Sequence, residues 1–215
     1  MRPSLSVISP VMNGAGWIGR CLEHLNVAIC QSDFGEAEII VVDDGSTDET
    51  ADEATIAMAA EPAIRFHLLR QANLGRFAAR RRGLDIAAHD HVLFIDTRVF
   101  IDPAALAFVA PRLRCADQRV WTSHVIAATA GNPLAGFWQA IEHVAWRRYF
   151  KRPSTTSFGI EDFDYFPKGT TALIAPRVML IDAFDAFDPT VGDWHKVNDD
   201  TAVLRWVAER RPINI

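Results

Sequence analysis

Four side chains of this sequence have the types and positions to form a polar ligand site. Asn13 follows the first predicted strand, Asp43 and Asp44 follow the second, and Asp96 follows the fourth. In open parallel sheets, ligands bind beyond the carboxyl ends of the strands. We therefore predict that these amide and carboxylate groups converge on one ligand.

An arginine cluster lies at the start of the third predicted helix. It comprises Arg76, Arg80, Arg81 and Arg82, of which Arg76 and Arg80 are one helical turn apart and share a face. Guanidinium groups suit phosphate oxygens because they form bidentate, charge-assisted hydrogen bonds. The spacing predicts that Arg76 and Arg80 serve one phosphate site, and that Arg81 and Arg82 form a solvated helix face.

The elements that must position these residues alternate along the first half of the chain. Apolar, β-branched runs predict strands at Leu5–Ile8, Glu38–Val42, Ile64–Leu69 and His91–Ile95, and apolar stripes predict helices at Trp17–Ile29 and Phe77–Ala88. Ser46 and Glu49 match a capping box, with Ser46 accepting from the Glu49 N–H. The alternation favours a parallel sheet with right-handed crossovers.

The second half of the sequence is less regular. It predicts strands at Val120–Thr129 and Thr171–Ile174 and helices at Pro133–Phe150, Arg177–Phe184 and Asp199–Glu209. Residues 151–168 show no clear period and are predicted to be a loop over the site. The apolar tail Arg211–Ile215 predicts the start of another strand, and with it a longer parent protein.

The composition narrows the class of protein. The chain has 215 residues, which favours one elaborated domain, and its 22 basic against 27 acidic residues give a net charge of −5 that disfavours a nucleic-acid partner. The three cysteines form no CxxC pair, which favours a reducing compartment. The sequence has neither an apolar run of the ~18 residues that a membrane helix needs nor a leader, so a soluble cytoplasmic protein is expected.

A glycine pattern offers an alternative function. Gly14, Gly16 and Gly19 match G-x-G-x-x-G between a strand and a helix, with Asp43 further on, as in dinucleotide-binding folds. Pro10 argues against this interpretation, because a central strand is expected to end or bend near a proline. An ordinary loop is the favoured interpretation, and an NAD(P)-dependent oxidoreductase using this loop is kept as the alternative.

Four segments resemble, in order, the family 2 glycosyltransferases, enzymes of the GT-A fold. They are residues 6–13 (SVISPVMN), 38–50 (EIIVVDDGSTDET), 71–83 (QANLGRFAARRRG, with Arg81 where the family usually has Asn) and 92–96 (VLFID). The resemblance implies an α/β GT-A-like fold of three α/β/α layers around a mainly parallel central sheet. It also implies an inverting transfer of a sugar from a nucleoside-diphosphate sugar to a hydroxyl of a polysaccharide, glycolipid or lipid-phosphate acceptor.

The resemblance also implies where the donor binds. The donor-binding positions it assigns are Pro10, Asn13, Asp43, Asp44, Arg76, Arg80, Asp96 and Arg98. Asp44 matches the position that accepts a hydrogen bond from the base, and Arg80 matches the family arginine. Residues 1–215 are expected to form one catalytic domain, with a donor half at 1–110 and an acceptor half at 111–215.

The metal site is where this sequence departs from the family. The Asp-x-Asp motif reads Asp96-Thr97-Arg98, so the usual second ligand of Mg²⁺ or Mn²⁺ is an arginine, which cannot coordinate a cation. Either Arg98 replaces the metal, or Asp96 holds a weak metal with another oxygen ligand. We favour the first and expect metal dependence to be weak or absent. The missing aspartate also keeps a non-catalytic nucleotide-sugar-binding domain open.

Two further segments bear on the acceptor. Asn198-Asp199-Asp200 with Arg205 resembles the family's Glu-Asp motif, so Asp199 is the predicted general base and Asp200 the alternative; helix capping is the competing interpretation of Asp199. Residues 146–152 mix basic and aromatic side chains, a pattern that suits a peripheral contact with the inner face of an anionic membrane as well as a solvated helix end.

Overall fold

The structure, a computed structural model, describes residues 2–60, 63–151, 155–167, 171–187 and 199–215. The strands are β1 (Leu5–Val11), β2 (Ala37–Asp43), β3 (Arg65–Arg70), β4 (His91–Ile95), β5 (Trp121–Thr122), β6 (Ser157–Phe158), β7 (Ala172–Pro176) and β8 (Ile213–Asn214). The helices are α1 (Ile18–Cys30), α2 (Thr50–Ala59), α3 (Arg76–Ile86), α4 (Pro103–Arg112), α5 (Pro133–Ala145), α6 (Arg147–Phe150), α7 (Arg177–Asp185) and α8 (Asp199–Ala208).

The described strands form one sheet in the order β3-β2-β1-β4-β7-β5-β8-β6. The four strands of the first half are all parallel, as predicted from the strand–helix alternation. The second half is mixed, since β7 is antiparallel to β4 and to β5, whereas β8 is parallel to β5. The carboxyl ends of β1, β2 and β4 therefore lie at one edge of the sheet, together with the start of β7.

Helices cover both faces of the sheet, which makes three α/β/α layers. Side chains of β1 alternate between the two cores: Ile8 packs with α3, α7 and α8 on one face, and Val7 packs with α1, α2 and α4 on the other. Helix α3 lies very close to β1 at Gly83, where an added Cβ would be 2.5 Å from Cγ2 of Ile8. This close approach fixes the height of α3, and hence of its arginines, above the sheet.

Strand β1 ends at Val11, one residue after Pro10, as the proline led us to expect, although it is three residues longer than the predicted Leu5–Ile8. Pro10 still pairs in register with Val42 of β2. The ladder between β1 and β4 stops at Ile8, however, so Pro10 has a strand neighbour on one side only. A proline is tolerated there because one edge of the backbone needs no ladder hydrogen bond.

Two predictions for the second half of the chain are wrong. The strand predicted at Val120–Thr129 is confined to Trp121–Thr122, because its neighbour β7 begins at Ala172 and β8 pairs with it only at Trp121. The described part of 151–168 is not a loop over the site. It contains β6 and a 3-10 helix at Ile160–Tyr165, and its phenylalanines 158, 163 and 166 are buried in the core.

Helix α4 (Pro103–Arg112) was not predicted, whereas α7, α8 and the tail follow the predictions closely. The helix predicted at Pro133–Phe150 is interrupted at Trp146 into α5 and α6, and the tail forms the predicted strand β8. Within the described residues, no helix has both the length and the apolar character needed to cross a membrane.

Candidate functional site

A cleft of about 420 Å³ opens at the edge where β1 and β4 end. Of the eight donor-binding positions predicted from the sequence, the cleft is lined by Pro10, Asn13, Arg76, Asp96 and Arg98. The structure therefore brings these five together. It places the other three, Asp43, Asp44 and Arg80, behind the lining, where they hold the surrounding loops and side chains.

Asp44 organises the loop that leads into α3. Its carboxylate accepts hydrogen bonds from Gln71 Nε2 at 2.8 Å and from the backbone N–H groups of Leu74 and Gly75, both at 2.9 Å. The residue is only 5% exposed. A carboxylate offers about four lone-pair sites, so these three donors leave room for one more, such as an N–H of a base. The role of Asp44 in base binding stays a prediction.

Asp43 and Asn13 tie the loops after β1 and β2 together. The buried Asp43 carboxylate accepts from the Ser46 N–H at 2.8 Å and from Arg70 Nε at 3.1 Å. Asn13 donates its backbone N–H to Ser46 Oγ at 2.9 Å, and its Oδ1 accepts from the Thr47 N–H at 2.9 Å. Asn13 has φ +50°, a left-handed conformation that asparagine tolerates better than most residues.

The predicted capping box is therefore wrong. Ser46 Oγ accepts from Asn13 in the neighbouring loop and not from Glu49, and α2 begins only at Thr50. The physical reason is tertiary: the loop after β1 presents a backbone N–H that competes for the hydroxyl. Asp48, which the sequence did not single out, accepts instead from the Thr50 hydroxyl and from the Ala15 N–H, and these bonds lower its pKa.

The glycine loop does not favour dinucleotide binding. Its backbone N–H groups, which would have to face a pyrophosphate, already donate to side chains of the α2 region: Gly14 to Thr50 Oγ1 at 2.8 Å, Ala15 to Asp48 Oδ2 at 3.1 Å and Gly16 to Glu53 Oε2 at 2.7 Å. Two of these acceptors are carboxylates. An incoming pyrophosphate would meet negative charge where the dinucleotide fold offers unpaired donors.

Arg80 and Asp96 form an ion pair at the floor of the cleft. Arg80 Nη2 lies 2.7 Å from Asp96 Oδ1; the arginine side chain is fully buried, whereas that of Asp96 is 27% exposed. The guanidinium also lies 5.6 Å from the ring centre of Phe94. Arg76, one helical turn earlier, lines the cleft, whereas Arg80 is buried behind the lining. The two arginines predicted to share a phosphate site therefore lie at different depths.

The other two arginines of the cluster have partners elsewhere. Arg81 pairs with Asp85 and with Asp185 of α7, and Arg82 donates to the carbonyl of Arg70. These contacts tie α3 to its surroundings. They are consistent with the prediction that Arg81 and Arg82 do not serve the phosphate site.

The described side chains around Asp96 do not fit a divalent cation. One oxygen of Asp96 is engaged by Arg80, and the position of the second family aspartate is Arg98, an exposed side chain on the cleft wall. In the described part of the chain, no group of three or more His, Cys, Asp or Glu side chains is arranged to hold a metal ion. The positive charges with which this cleft can face a diphosphate are the guanidinium groups of Arg76 and Arg98.

Part of the cleft wall is not predicted from the sequence. Val125 and Thr171 line it from the second half of the chain, and Val99 follows Arg98. Val125 lies in the part of the predicted strand Val120–Thr129 that is not a strand, and Thr171 immediately precedes β7. No motif marks either position, because their contribution depends on β7 lying beside β4.

The predicted catalytic carboxylates lie at the start of α8. The helix begins at Asp199, close to the prediction, and its Val203 and Leu204 are buried in the core. The side chains of Asp199 and Asp200 lie outside the described part of the structure, as does all of Asn198. Their assignment as general base and alternative therefore stays a prediction.

Gly45 offers a test of how the loops support the cleft. It has φ +85°, and an added Cβ would lie 2.9 Å from the backbone N of Asn73, in the loop that Asp44 holds. We expect Gly45→Ala to lower the free energy of unfolding by about 2 kcal/mol or more, from left-handed strain of ~1–2 kcal/mol plus the displaced loop. Urea denaturation measures this.

The matched control for Gly45→Ala is Gly16→Ala. Gly16 has φ +78°, but an added Cβ there meets nothing within 4 Å. The loss of stability in this control should come from the left-handed backbone strain alone. Equal losses of stability in the two variants would contradict the proposed contact between Gly45 and the loop at Asn73.

Comparison with known proteins places the chain in a family. Residues 6–161 match the family model described as glycosyl transferase family 2. The uncharacterized glycosyltransferase YibD of Escherichia coli is 39% identical over 92 residues, which are 43% of this chain and 25% of that protein. A PGL/p-HBAD biosynthesis glycosyltransferase of Mycobacterium bovis is 36% identical over 93 residues, 43% of this chain and 34% of that protein. The chain thus matches only a quarter to a third of the length of these curated relatives.

The fold also matches solved structures. The S. aureus TarS structure in complex with UDP-GlcNAc superposes with a TM-score of 0.66 at 19% identity, over 98% of this chain and 55% of that one. At this identity the likeness concerns the fold, which is GT-A.

Proposed function

The chain belongs to glycosyl transferase family 2, and from that premise we propose that it transfers a sugar from a nucleoside-diphosphate sugar to an acceptor hydroxyl with inversion at the anomeric carbon. The observation that carries the proposal is the cleft at the ends of β1 and β4, which is lined by Arg76, Asp96 and Arg98. Two guanidinium groups and one carboxylate suit a ligand that combines a diphosphate with hydroxyl groups. The UDP-GlcNAc complex of TarS, a protein of the same fold, supports a nucleotide-sugar donor.

The proposed reaction is a single displacement. The acceptor oxygen attacks the anomeric carbon from the side opposite the diphosphate and forms the new C–O bond. The bond from that carbon to the diphosphate oxygen breaks, and its electron pair leaves with the diphosphate. Arg76 and Arg98 stabilise the charge that develops there, and the acceptor proton passes to the carboxylate of Asp199.

We propose that the cleft works without a divalent metal. Arg98 stands where the family carries its second metal-ligating aspartate, and Arg80 occupies an oxygen of Asp96. Arginine remains protonated throughout the physiological range, so it supplies a permanent positive charge to the leaving group. Asp96, held by Arg80, is then positioned to accept a hydrogen bond from a donor hydroxyl.

A thermal shift screen tests the donor and the metal together. UDP-sugars, GDP-sugars and NAD are each added with EDTA and, separately, with Mn²⁺. We expect one class of nucleotide sugar to raise the melting temperature equally in both conditions, since a ligand at 100 times its Kd adds about 2.7 kcal/mol of stability. Stabilisation by NAD alone would favour the oxidoreductase, and stabilisation only with Mn²⁺ would overturn the metal-free proposal. Donor binding without transfer to any acceptor would favour the non-catalytic domain.

We further propose that the acceptor is carbohydrate or lipid-linked and that the protein contacts an anionic membrane surface through α5 and α6. The apolar side chains of α5 are exposed and recur at helical spacing, namely Leu134, Phe137, Trp138, Ile141 and Val144. The basic residues Arg147, Arg148 and Lys151 follow at once. An apolar helix face beside a basic cluster is the pattern of an interfacial helix.

Vesicle sedimentation tests this contact. We expect the protein to sediment with vesicles containing phosphatidylglycerol, less so at high salt, and weakly with pure phosphatidylcholine, because each basic residue near an anionic surface adds about 1 kcal/mol. Trp138→Ser combined with Ile141→Ser should release it. Ile56→Ser, which replaces a still more exposed apolar side chain on α2, is the control. Binding that survives the double substitution would contradict the proposal.

A further inference from the structure

A second and larger cavity lies beside the cleft. It measures about 550 Å³ and lies between α4 and the sheet, on the face opposite α3. Its floor is formed by buried side chains of the sheet, Leu93, Trp121 and Ile174, and Leu106 of α4 forms a wall. Pockets that bind small organic molecules have volumes of about 300–1,000 Å³ and mostly apolar walls. This cavity has both properties.

The second cavity adjoins the cleft. Arg98, Val99 and Val125 line both of them. A molecule that occupies the second cavity therefore lies beside Arg98, next to the edge where the donor is proposed to bind.

Few polar side chains line this cavity. Asp102 caps α4 by accepting from the Ala104 N–H at 2.8 Å. His124 packs against the rings of Trp146, Tyr149 and Phe150, and burial lowers its pKa. The acidic and basic side chains of the lining are Asp102, exposed at the start of α4, and Arg98, at the rim shared with the cleft. The interior thus favours hydrocarbon, and the rim favours a polar group.

We propose that the second cavity binds a hydrocarbon chain of the acceptor, whose polar head lies at Arg98 with the reacting hydroxyl in the cleft. This inference rests on the proposed function, because it takes the cleft to be the donor site. It goes further by naming the acceptor class: an amphiphile whose hydrocarbon chain is buried during transfer. An acceptor made of sugar alone would leave this apolar volume in contact with water.

Alkyl glucosides of increasing chain length test the inference directly. Binding of butyl, hexyl and octyl β-glucoside to the full chain, below their micelle-forming concentrations, is followed by calorimetry. Each buried methylene is worth ~0.8 kcal/mol, so affinity should rise up to about fourfold per added carbon. Tryptophan emission provides a second readout, since Trp17 and Trp121 line the cavity.

A pair of alanines on α4 supplies the variant and its control. Ala105 lines the cavity and Ala107 does not, yet both are exposed, so phenylalanine is tolerated by the fold at either position. Ala105→Phe should weaken octyl glucoside binding at least tenfold, and Ala107→Phe should leave it unchanged. Both variants should bind the nucleotide-sugar donor as the unmodified protein does.

The outcomes separate this inference from the proposed function. Absence of binding, affinity independent of chain length, or equal binding by the two variants would overturn the hydrocarbon site, whatever the donor measurement shows. If no nucleotide sugar binds while Ala105→Phe alone abolishes octyl glucoside binding, the proposed function fails and the cavity remains a hydrocarbon site. Cavity-dependent transfer of sugar to octyl glucoside would support both.

Discussion

Arg80→Met is expected to lower the free energy of unfolding by about 3 kcal/mol and to weaken donor binding at least tenfold. The Arg80 guanidinium is fully buried and contacts Asp96 Oδ1 at 2.7 Å, so its removal leaves a carboxylate without its partner at the floor of the cleft. Breaking a buried ion pair costs about 3–5 kcal/mol. The lower figure applies because Asp96 is 27% exposed and water can solvate it in part. Urea denaturation and donor titration measure the two effects.

Arg81→Met is the matched control for this substitution. Arg81 is the next residue on α3 and also pairs with carboxylates, but its partners Asp85 and Asp185 are more than half exposed. Ion pairs of this kind contribute about 0–1 kcal/mol. If Arg80→Met and Arg81→Met cost the same, or if Arg80→Met leaves donor affinity intact, then the Arg80–Asp96 pair does not organise the cleft.

Asp199→Asn is expected to lower kcat by about 10²–10⁴-fold, the usual contribution of a general base, with donor affinity unchanged. Asparagine has nearly the size of aspartate and is an equally good capping residue at a helix start. The substitution therefore removes the proton acceptor while conserving any support that Asp199 gives to α8. Initial rates of sugar transfer measure the loss of kcat, and donor binding measured in parallel shows whether donor affinity is unchanged.

Asp200→Asn serves as the comparison. Near-normal turnover of Asp199→Asn together with loss of turnover in Asp200→Asn would move the base to Asp200. Full activity in both variants would assign neither residue to proton transfer, and Asp199 would then belong to the helix start alone. Unfolding curves should coincide for the two variants, which excludes a loss of folded protein as the cause.

The first half of the fold is predictable because each of its strands carries its own signal. The strands β1, β2 and β4 are buried, β3 is the partly exposed edge strand, and all four pair in parallel and appear as short, largely apolar runs with helices between them. The second half is not predictable in this way. Strand β5 has two residues, which pair with β7 only at Ile174 and Leu173 and with β8 only at Asn214. The phenylalanines between 157 and 167 are buried without any sequence period.

The capping box is an example within the site of a local sequence pattern that did not predict the contact. Ser46 and Glu49 have the right spacing, yet the hydroxyl of Ser46 accepts from Asn13, 33 residues earlier. Pro10 is a case in which the local signal holds: β1 ends one residue later, at Val11, beyond the point where its ladder with β4 stops. At Ser46 a contact distant in sequence outweighs the local preference.

The sequence alone determined which chemical groups reach the carboxyl edge of the sheet, because strand ends and the residues that follow them are read from local patterns. Only the tertiary structure decided which of these groups face a ligand. Arg76 and Arg80 share a helix face, but one lines the cleft and the other is buried against Asp96. Asp43 ends β2 and Asp44 follows it, but their oxygens hold neighbouring loops. The reason is that a hydrogen-bonding group uses the partner that packing brings to it, and those partners lie on separate strands and loops.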